Sequence, residues 1–94
     1  MKDRLETARQ ILRDAAAEFI AREAGPQSLI TVTRADLSSD FRGATIYLSV
    51  LPDAQSGAAL SLANRNISEF KKYLDKHTKL PRAPYIEFAL EKQD

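Results

Sequence analysis

The apolar residues of this chain change their spacing three times, and each change calls for a different kind of element. In DRLETARQILRDAAAEFIAREAGP, residues 3–26, Leu5, Ala8, Leu12, Ala15 and Phe19 recur at steps of three and four, and Ile11, Ala16 and Ile20 widen the stripe. That period places them on one face of a helix. Asp3 can accept from the first-turn amides with Glu6 three residues on. Gly25 and Pro26 supply the stop, glycine for a left-handed cap and proline because it cannot continue the ladder.

From Ser28 the period falls to two. SLITVTRA puts Ile30 and Val32 on one side with Thr31 and Thr33 on the other, and ATIYLSVL sets Ala44, Ile46, Leu48 and Val50 opposite Thr45, Tyr47 and Ser49. Both read as strands with one buried face. DLSSDFRG between them is turn-rich, which makes the pair an antiparallel hairpin with a longer loop, and Pro52 ends the second strand. From about Ser56 the helical period returns through Leu60, Ala63, Ile67, Phe70 and Leu74, with His77 at the next position of the stripe. Pro81 and Pro84 end that helix. YIEFAL then alternates Ile86, Phe88 and Leu90 against Tyr85, Glu87 and Ala89, a third strand.

No repeat, low-complexity tract or linker interrupts this order, so residues 1–94 read as a single domain. Two amphipathic helices must bury their stripes, and the apolar face of a three-stranded sheet is what the chain offers them. The expectation is an α+β two-layer sandwich.

Charge and composition bound what such a sandwich can do. With no cysteine and one histidine, the chain excludes disulfides, thiolate chemistry and a metal site built on imidazoles. The N-terminus lacks the apolar core of a signal peptide, and no run approaches the ~20 apolar residues that span a bilayer, so the expected place is the cytoplasm with no membrane. His77 has no nucleophile or acid beside it, which argues against an enzyme. Asp36 and Asp40 read as turn-forming side chains rather than a cation site.

Positive charge is concentrated between residues 65 and 82, where Arg65, Lys71, Lys72, Lys76, Lys79 and Arg82 oppose only Glu69 and Asp75 in a chain of formal net charge +1. The rest of the chain is therefore net acidic. A continuous helix would align Arg65, Lys72, Lys76 and Lys79 on a face apart from the apolar stripe, with Lys71 to one side. Each cation that neutralises a phosphate releases condensed counterions, so these six are the candidate RNA-binding residues. Thr31, Thr33, Tyr47 and Tyr85 on the open side of the sheet offer at most two aromatic faces for stacking. That favours structured RNA met through its backbone over a read single strand. A different class of function remains open on the same charge: a protein-interaction module whose basic helix or sheet edge docks an acidic partner.

The run ITVTRADLSSDFRGATIYLSVL resembles the ribosome-binding factor A family, whose hairpin carries a Ser-x-Asp turn and an Ala-x-x-Tyr-x-Ser second strand, matched here by Ser38, Asp40, Ala44, Tyr47 and Ser49. Gly25-Pro26 stands where the family often has Asp-Pro. LPRAPYIEF is similar to its Leu...Pro-x-Leu-x-Phe ending through Leu80, Pro84 and Phe88, with Ile86 for the second Leu. The resemblance runs from about Arg4 to Glu91. It implies a type II KH-like fold, arranged αββααβ, with the helices packed on one face of a three-stranded sheet. It further implies an assembly factor of the small (30S) ribosomal subunit that binds 16S ribosomal RNA late in maturation of the pre-30S particle. Such a protein is a monomer when free, without catalysis or cofactor. The chain departs from the family in two places. Asn66, Ile67 and Ser68 replace the Ala-x-Gly kink of the long helix, where Asn tolerates left-handed backbone and Ser can bond back to the helix. Pro81 occupies the place of a family Arg, with Arg82 one residue later.

Overall fold

The first helix forms where the three-and-four spacing begins and fixes the orientation of everything laid against it. The computed structural model describes residues 3–80 and 84–91. In α1 (Arg4–Glu23), the Asp3 carboxylate accepts from the Leu5 amide at 3.2 Å, while Glu6 turns to Arg9 at 3.4 Å instead of closing a capping box. Ala8, Leu12, Ala15, Ala16, Phe19 and Ile20 are buried along its inner face. The helix stops earlier than Gly25. Ala24 turns to extended backbone (φ −73°, ψ 137°) as its N–H donates to the Ile20 carbonyl, and no described glycine has a positive φ. The expected left-handed glycine cap is therefore not used; Pro26, which disfavours helical backbone just before it, ends the element.

Strands β1 (Leu29–Leu37) and β2 (Gly43–Leu51) form the antiparallel hairpin. β1 is longer than its sequence alternation suggests, because Thr33 is a bulge: Val32 pairs with Leu48, Arg34 with Tyr47, and Thr33 is skipped. The extra residue resets the phase, so Val32, Ala35 and Leu37 are all buried. Asp36 and Leu37, assigned to the turn from sequence, are strand residues. In the Ser38–Arg42 loop, the Ser38 hydroxyl donates to Asp40 at 2.7 Å and accepts from the Arg42 and Gly43 amides at 3.1 and 3.0 Å. Phe41 takes left-handed backbone (φ 65°), costing about 1–2 kcal/mol, and packs its ring against the core.

After a short 3₁₀ turn at Asp53–Gln55 come α2 (Ser56–Arg65), α3 (Ile67–His77) and β3 (Tyr85–Leu90), completing the order αββααβ. β3 lies parallel to β2 from Gly43↔Tyr85 to Leu48↔Leu90, which puts β2 at the centre of the sheet. A parallel neighbour requires a crossover, and α2 with α3 is that crossover. α1 packs on β1, α2 on β2 and β3, and α3 against α1, and the strands alternate between buried residues and more exposed ones on the opposite face.

The layers meet at Phe70, fully buried, whose ring centroid lies 5.2 Å from Phe19 of α1 and 5.7 Å from Phe88 of β3. One ring thus ties three elements together. Leu12, Ile46, Leu48, Leu74 and Ile86 fill the space around it, each worth about 1.5–3 kcal/mol of burial. The edge of β3 is closed by a side chain: Asn64 donates Nδ2 to the Phe88 carbonyl at 3.3 Å and accepts the Phe88 amide on Oδ1 at 3.1 Å. An amide thereby imitates the next strand and blunts an otherwise open edge.

The long helix read from sequence is two helices. Asn66 sits between them at φ −103° and ψ 14°, so the break does not use left-handed backbone. Its amide bonds the Ala63 carbonyl, a shortened turn, and its side-chain Nδ2 donates at 2.8 Å to the Leu62 carbonyl that the amide has vacated. Ile67 and Ser68 already belong to α3, whose ladder resumes as the Phe70 amide reaches the Asn66 carbonyl at 2.9 Å. α3 ends at His77, before the prolines expected to stop it. Thr78 turns to extended backbone there, and its hydroxyl and amide both donate to the Leu74 carbonyl, at 2.6 and 3.0 Å. Pro81 lies outside the described residues.

Candidate nucleic-acid interface

α3 is held by Phe70 and Leu74, with Ile67 half-buried beside them, so the residues between those anchors are presented at fixed angles. Lys72 and Lys76, one turn apart, are exposed on the side away from the core. Lys72 reaches the Glu69 carboxylate at 3.4 Å, and Lys76 forms no ion pair among the described residues. Lys71 is half-buried on the β3 side, its Nζ 5.9 Å from the centre of the Tyr85 ring.

The opposite flank of α3 meets α1. Tyr73 donates its hydroxyl to Glu18 at 2.7 Å, its ring lies 5.7 Å from Phe19, and the Arg22 guanidinium stands 5.6 Å from its centre. The bond to Glu18, reinforced by partial desolvation, pushes the Tyr73 phenol above its ordinary pKa and keeps it a neutral donor. His77 lies one turn on, exposed, with its ring 4.3 Å from that of Tyr73. Sequence reading put His77 on the apolar stripe; the end of the helix at that residue leaves it outside the core. A shallow groove of about 280 Å³ runs between the two helices, lined by Arg22, Lys72, Lys76 and His77, by Phe19 and Tyr73, and by the carboxylates of Glu23 and Glu69.

The remaining candidates lie off this helix. Arg65 closes α2 and is exposed on the far side of the Asn66 break, lining a groove with Glu23 and Gln27. Lys79 lies beyond the end of α3, beside Asp14, Glu18 and His77. Arg82 lies outside the described residues. Of the six candidates, Lys72 and Lys76 share one patch with Arg22, while Arg65 and Lys79 line other grooves, because the helix breaks at Asn66 and stops at His77. Arg22 belongs to the patch and was not singled out from sequence. Its signal was its place three residues after Phe19 at the edge of the α1 stripe, masked by Glu18 and Glu23 around it.

The two aspartates have partners within the fold. Asp36 takes the Arg34 guanidinium at 2.7 Å, and Asp40 takes Ser38 and the Arg42 amide. Among the described residues no group of His, Cys, Asp and Glu is arranged to hold a metal ion, and no helix is long and apolar enough to cross a membrane. What the site offers is exposed positive charge on a packed helix with adjoining aromatic rings.

A family model described as ribosome-binding factor A matches residues 3–94 of the chain. Ribosome-binding factor A of Fervidobacterium nodosum is 31% identical over 86 residues, spanning 89% of this chain and 69% of that protein. The Bdellovibrio bacteriovorus protein of the same name is 33% identical over 64 residues, 67% of this chain and 48% of its own length. The crystal structure of ribosome-binding factor A from Thermus thermophilus superposes with a TM-score of 0.81 over 92% of this chain and 93% of that one, at 24% identity, a likeness of fold. A homology model of the Thermus thermophilus factor, fitted into a cryo-electron microscopy map of its 30S complex, gives 0.76 at 28% identity, over 95% of this chain and 93% of that one.

Proposed function

The chain belongs to the ribosome-binding factor A family, and from that membership we propose that it is an assembly factor of the small ribosomal subunit, meeting 16S ribosomal RNA of the late pre-30S particle through the basic patch of α3. The observation that carries this reading is the pairing of Lys72 and Lys76 on the solvent side of a helix whose other side is locked by Phe70 and Leu74. A packed helix fixes the backbone beneath these charges before the RNA arrives, so little backbone freedom is lost on contact. Phosphate neutralisation then supplies affinity by counterion release, without regard to base sequence. Specificity follows from shape: Lys71 on one flank and Arg22 on the other widen the patch so that it matches a folded RNA surface rather than a single backbone.

This role calls for binding and release, not bond making, and the protein acts as a cytoplasmic monomer without cofactor or catalysis. The relative seen in a 30S complex supports the choice of partner.

Sucrose-gradient co-sedimentation with purified small subunits, at low and moderate salt, tests it. The wild-type protein is expected to travel with the subunits. The variant Lys72→Glu/Lys76→Glu/Lys79→Glu is expected to lose at least about tenfold in affinity while keeping its urea unfolding midpoint, because all three side chains are exposed. A wild-type protein that stays at the top of the gradient at both salts, or a triple variant that binds as well as wild type, overturns the reading; the first outcome favours docking of an acidic protein.

A further inference from the structure

Two tyrosines stand on the outer face of the sheet, and their surroundings differ. Tyr47 is half-buried and covered: the Arg34 guanidinium lies 3.9 Å from its ring centre, itself held by Asp36 and Glu91. A base stacking there would have to displace an arginine bound by two carboxylates. Tyr85 is 74% exposed, more than any other large hydrophobic side chain among the described residues.

Its backbone is nonetheless fixed. The Tyr85 amide donates to the Arg42 carbonyl at 2.8 Å, Tyr85 opens the parallel ladder opposite Gly43, and its neighbours Pro84 and Ile86 are buried. An open aromatic ring on a rigid strand loses little freedom when something stacks on it. One cation stands at the ring and another at the backbone beside it. Lys71 approaches from α3 at 5.9 Å, and Arg42, whose carbonyl takes the Tyr85 amide, extends a side chain that is 86% exposed and whose ion pair among the described residues is with Asp40, at 3.8 Å. Glu87, two residues along the same face, is the acidic neighbour on β3. An exposed ring with a cation beside it and an exposed arginine at the adjoining backbone has the composition of a single-strand platform, in which the ring takes a base and the cations take nearby phosphates.

We propose that Tyr85, with Lys71 and Arg42, is a stacking platform for one unpaired base of the RNA held by α3, carrying that surface from the helix to the end of the sheet. The inference rests on reading α3 as an RNA surface. It adds a preference for a flexible strand at the margin of a folded RNA, which backbone contacts alone do not provide.

The test compares wild type with Tyr85→Leu, Tyr85→Phe and Tyr85→Trp on two probes, a short fluorescein-labelled oligoadenylate and an RNA duplex of similar length, alongside small-subunit co-sedimentation. Tyr85→Leu keeps apolar bulk without a π face and, at so exposed a position, leaves folding intact. It is expected to weaken oligoadenylate binding about five- to a hundredfold and duplex binding less than about twofold. Tyr85→Phe retains the wild-type affinity. Tyr85→Trp places an indole in a chain that has no tryptophan, and its fluorescence should be quenched by the single strand. Wild-type affinity of Tyr85→Leu for oligoadenylate and subunits alike, equal losses on both probes, or an unquenched Trp in a bound complex overturns the platform while leaving the α3 reading in place. A wild-type protein that binds neither probe nor the subunits overturns the α3 reading and the platform with it.

Discussion

On the outer face of the sheet, charges face one another: Arg34 bonds Asp36 at 2.7 Å and Glu91 at 3.1 Å while covering Tyr47, and Thr33 adds a hydrogen bond to Glu91 at 3.0 Å. On α3 the charges face outward, with the Lys72–Glu69 contact at 3.4 Å the one ion pair that the described residues give its lysines. The contrast separates two uses of charge. Arg34, Asp36 and Glu91 join β1 to the residue just past β3, across the central strand, so they bind the fold to itself. The pair of carboxylates, Glu91 first, raises the Arg34 pKa further above its already high ordinary value, which marks a cation satisfied internally. Among the described residues Lys76 has no ion pair and Lys72 has a single solvent-exposed one, so both remain available to an outside anion.

The largest effect comes from breaking the support common to both faces. Phe70→Ala should cost about 3–5 kcal/mol in urea unfolding, since it removes the ring that touches both Phe19 and Phe88 and leaves a cavity where three elements meet. Subunit binding should fall with it, because Lys72 and Lys76 depend on that anchor for their direction. A loss below about 1 kcal/mol would mean that α3 is not docked as described.

A smaller change tests the division itself. Arg34→Met preserves much of the side-chain bulk over Tyr47 but removes the charge shared by Asp36 and Glu91. The expected result is a modest fall in the urea midpoint that shrinks as salt shortens the screening length from about 30 Å at 0.01 M to about 3 Å at 1 M. Subunit co-sedimentation should stay within about twofold of wild type. Weakened binding with unchanged stability would place Arg34 among the outward-facing charges and erase the distinction.

How far these two faces could be read beforehand depends on which signals are local. Ala44, Ile46, Leu48 and Val50 declare β2 because alternation and burial coincide residue by residue, and all four are buried. The Thr33 bulge was hidden, since Ile30 and Val32 set one phase and Ala35 and Leu37 another, a slip that alternation alone treats as the end of a strand. The break at Asn66 escaped the periodicity for a related reason. Ala63 and Ile67 remain four residues apart across it, so the apolar stripe runs on while the hydrogen-bond ladder does not. The lysines were legible as charge, but their common face was not, because a stripe extrapolated from Arg65 to Lys79 presumes a helix that neither breaks nor stops. Arg34 carries no local signal: its partner Glu91 lies 57 residues away, and only the parallel placement of β3 brings them together.

The smallest effect sharpens the contrast at the hairpin tip, where Asp40 is held by the fold while its neighbour Arg42 extends into solvent. The Ser38 hydroxyl, and after it the Arg42 amide, bond the ionised carboxylate and lower its pKa below the ordinary aspartate value. Since the folded pKa lies below that of the unfolded chain, about 3.9, the unfolded state takes up the proton first as the solution is acidified. The stabilisation is therefore complete above the unfolded pKa and disappears as pH falls through the folded one. Asp40→Asn keeps an oxygen for the same donors but has no proton to gain. Urea midpoints measured from about pH 6 downward should show wild type above the variant, with the gap closing below about pH 4. A gap that stays constant into strong acid would show that the turn responds to the amide that replaces the carboxyl group and not to its ionised charge, and Asp40 would then belong with neither class of charged residue.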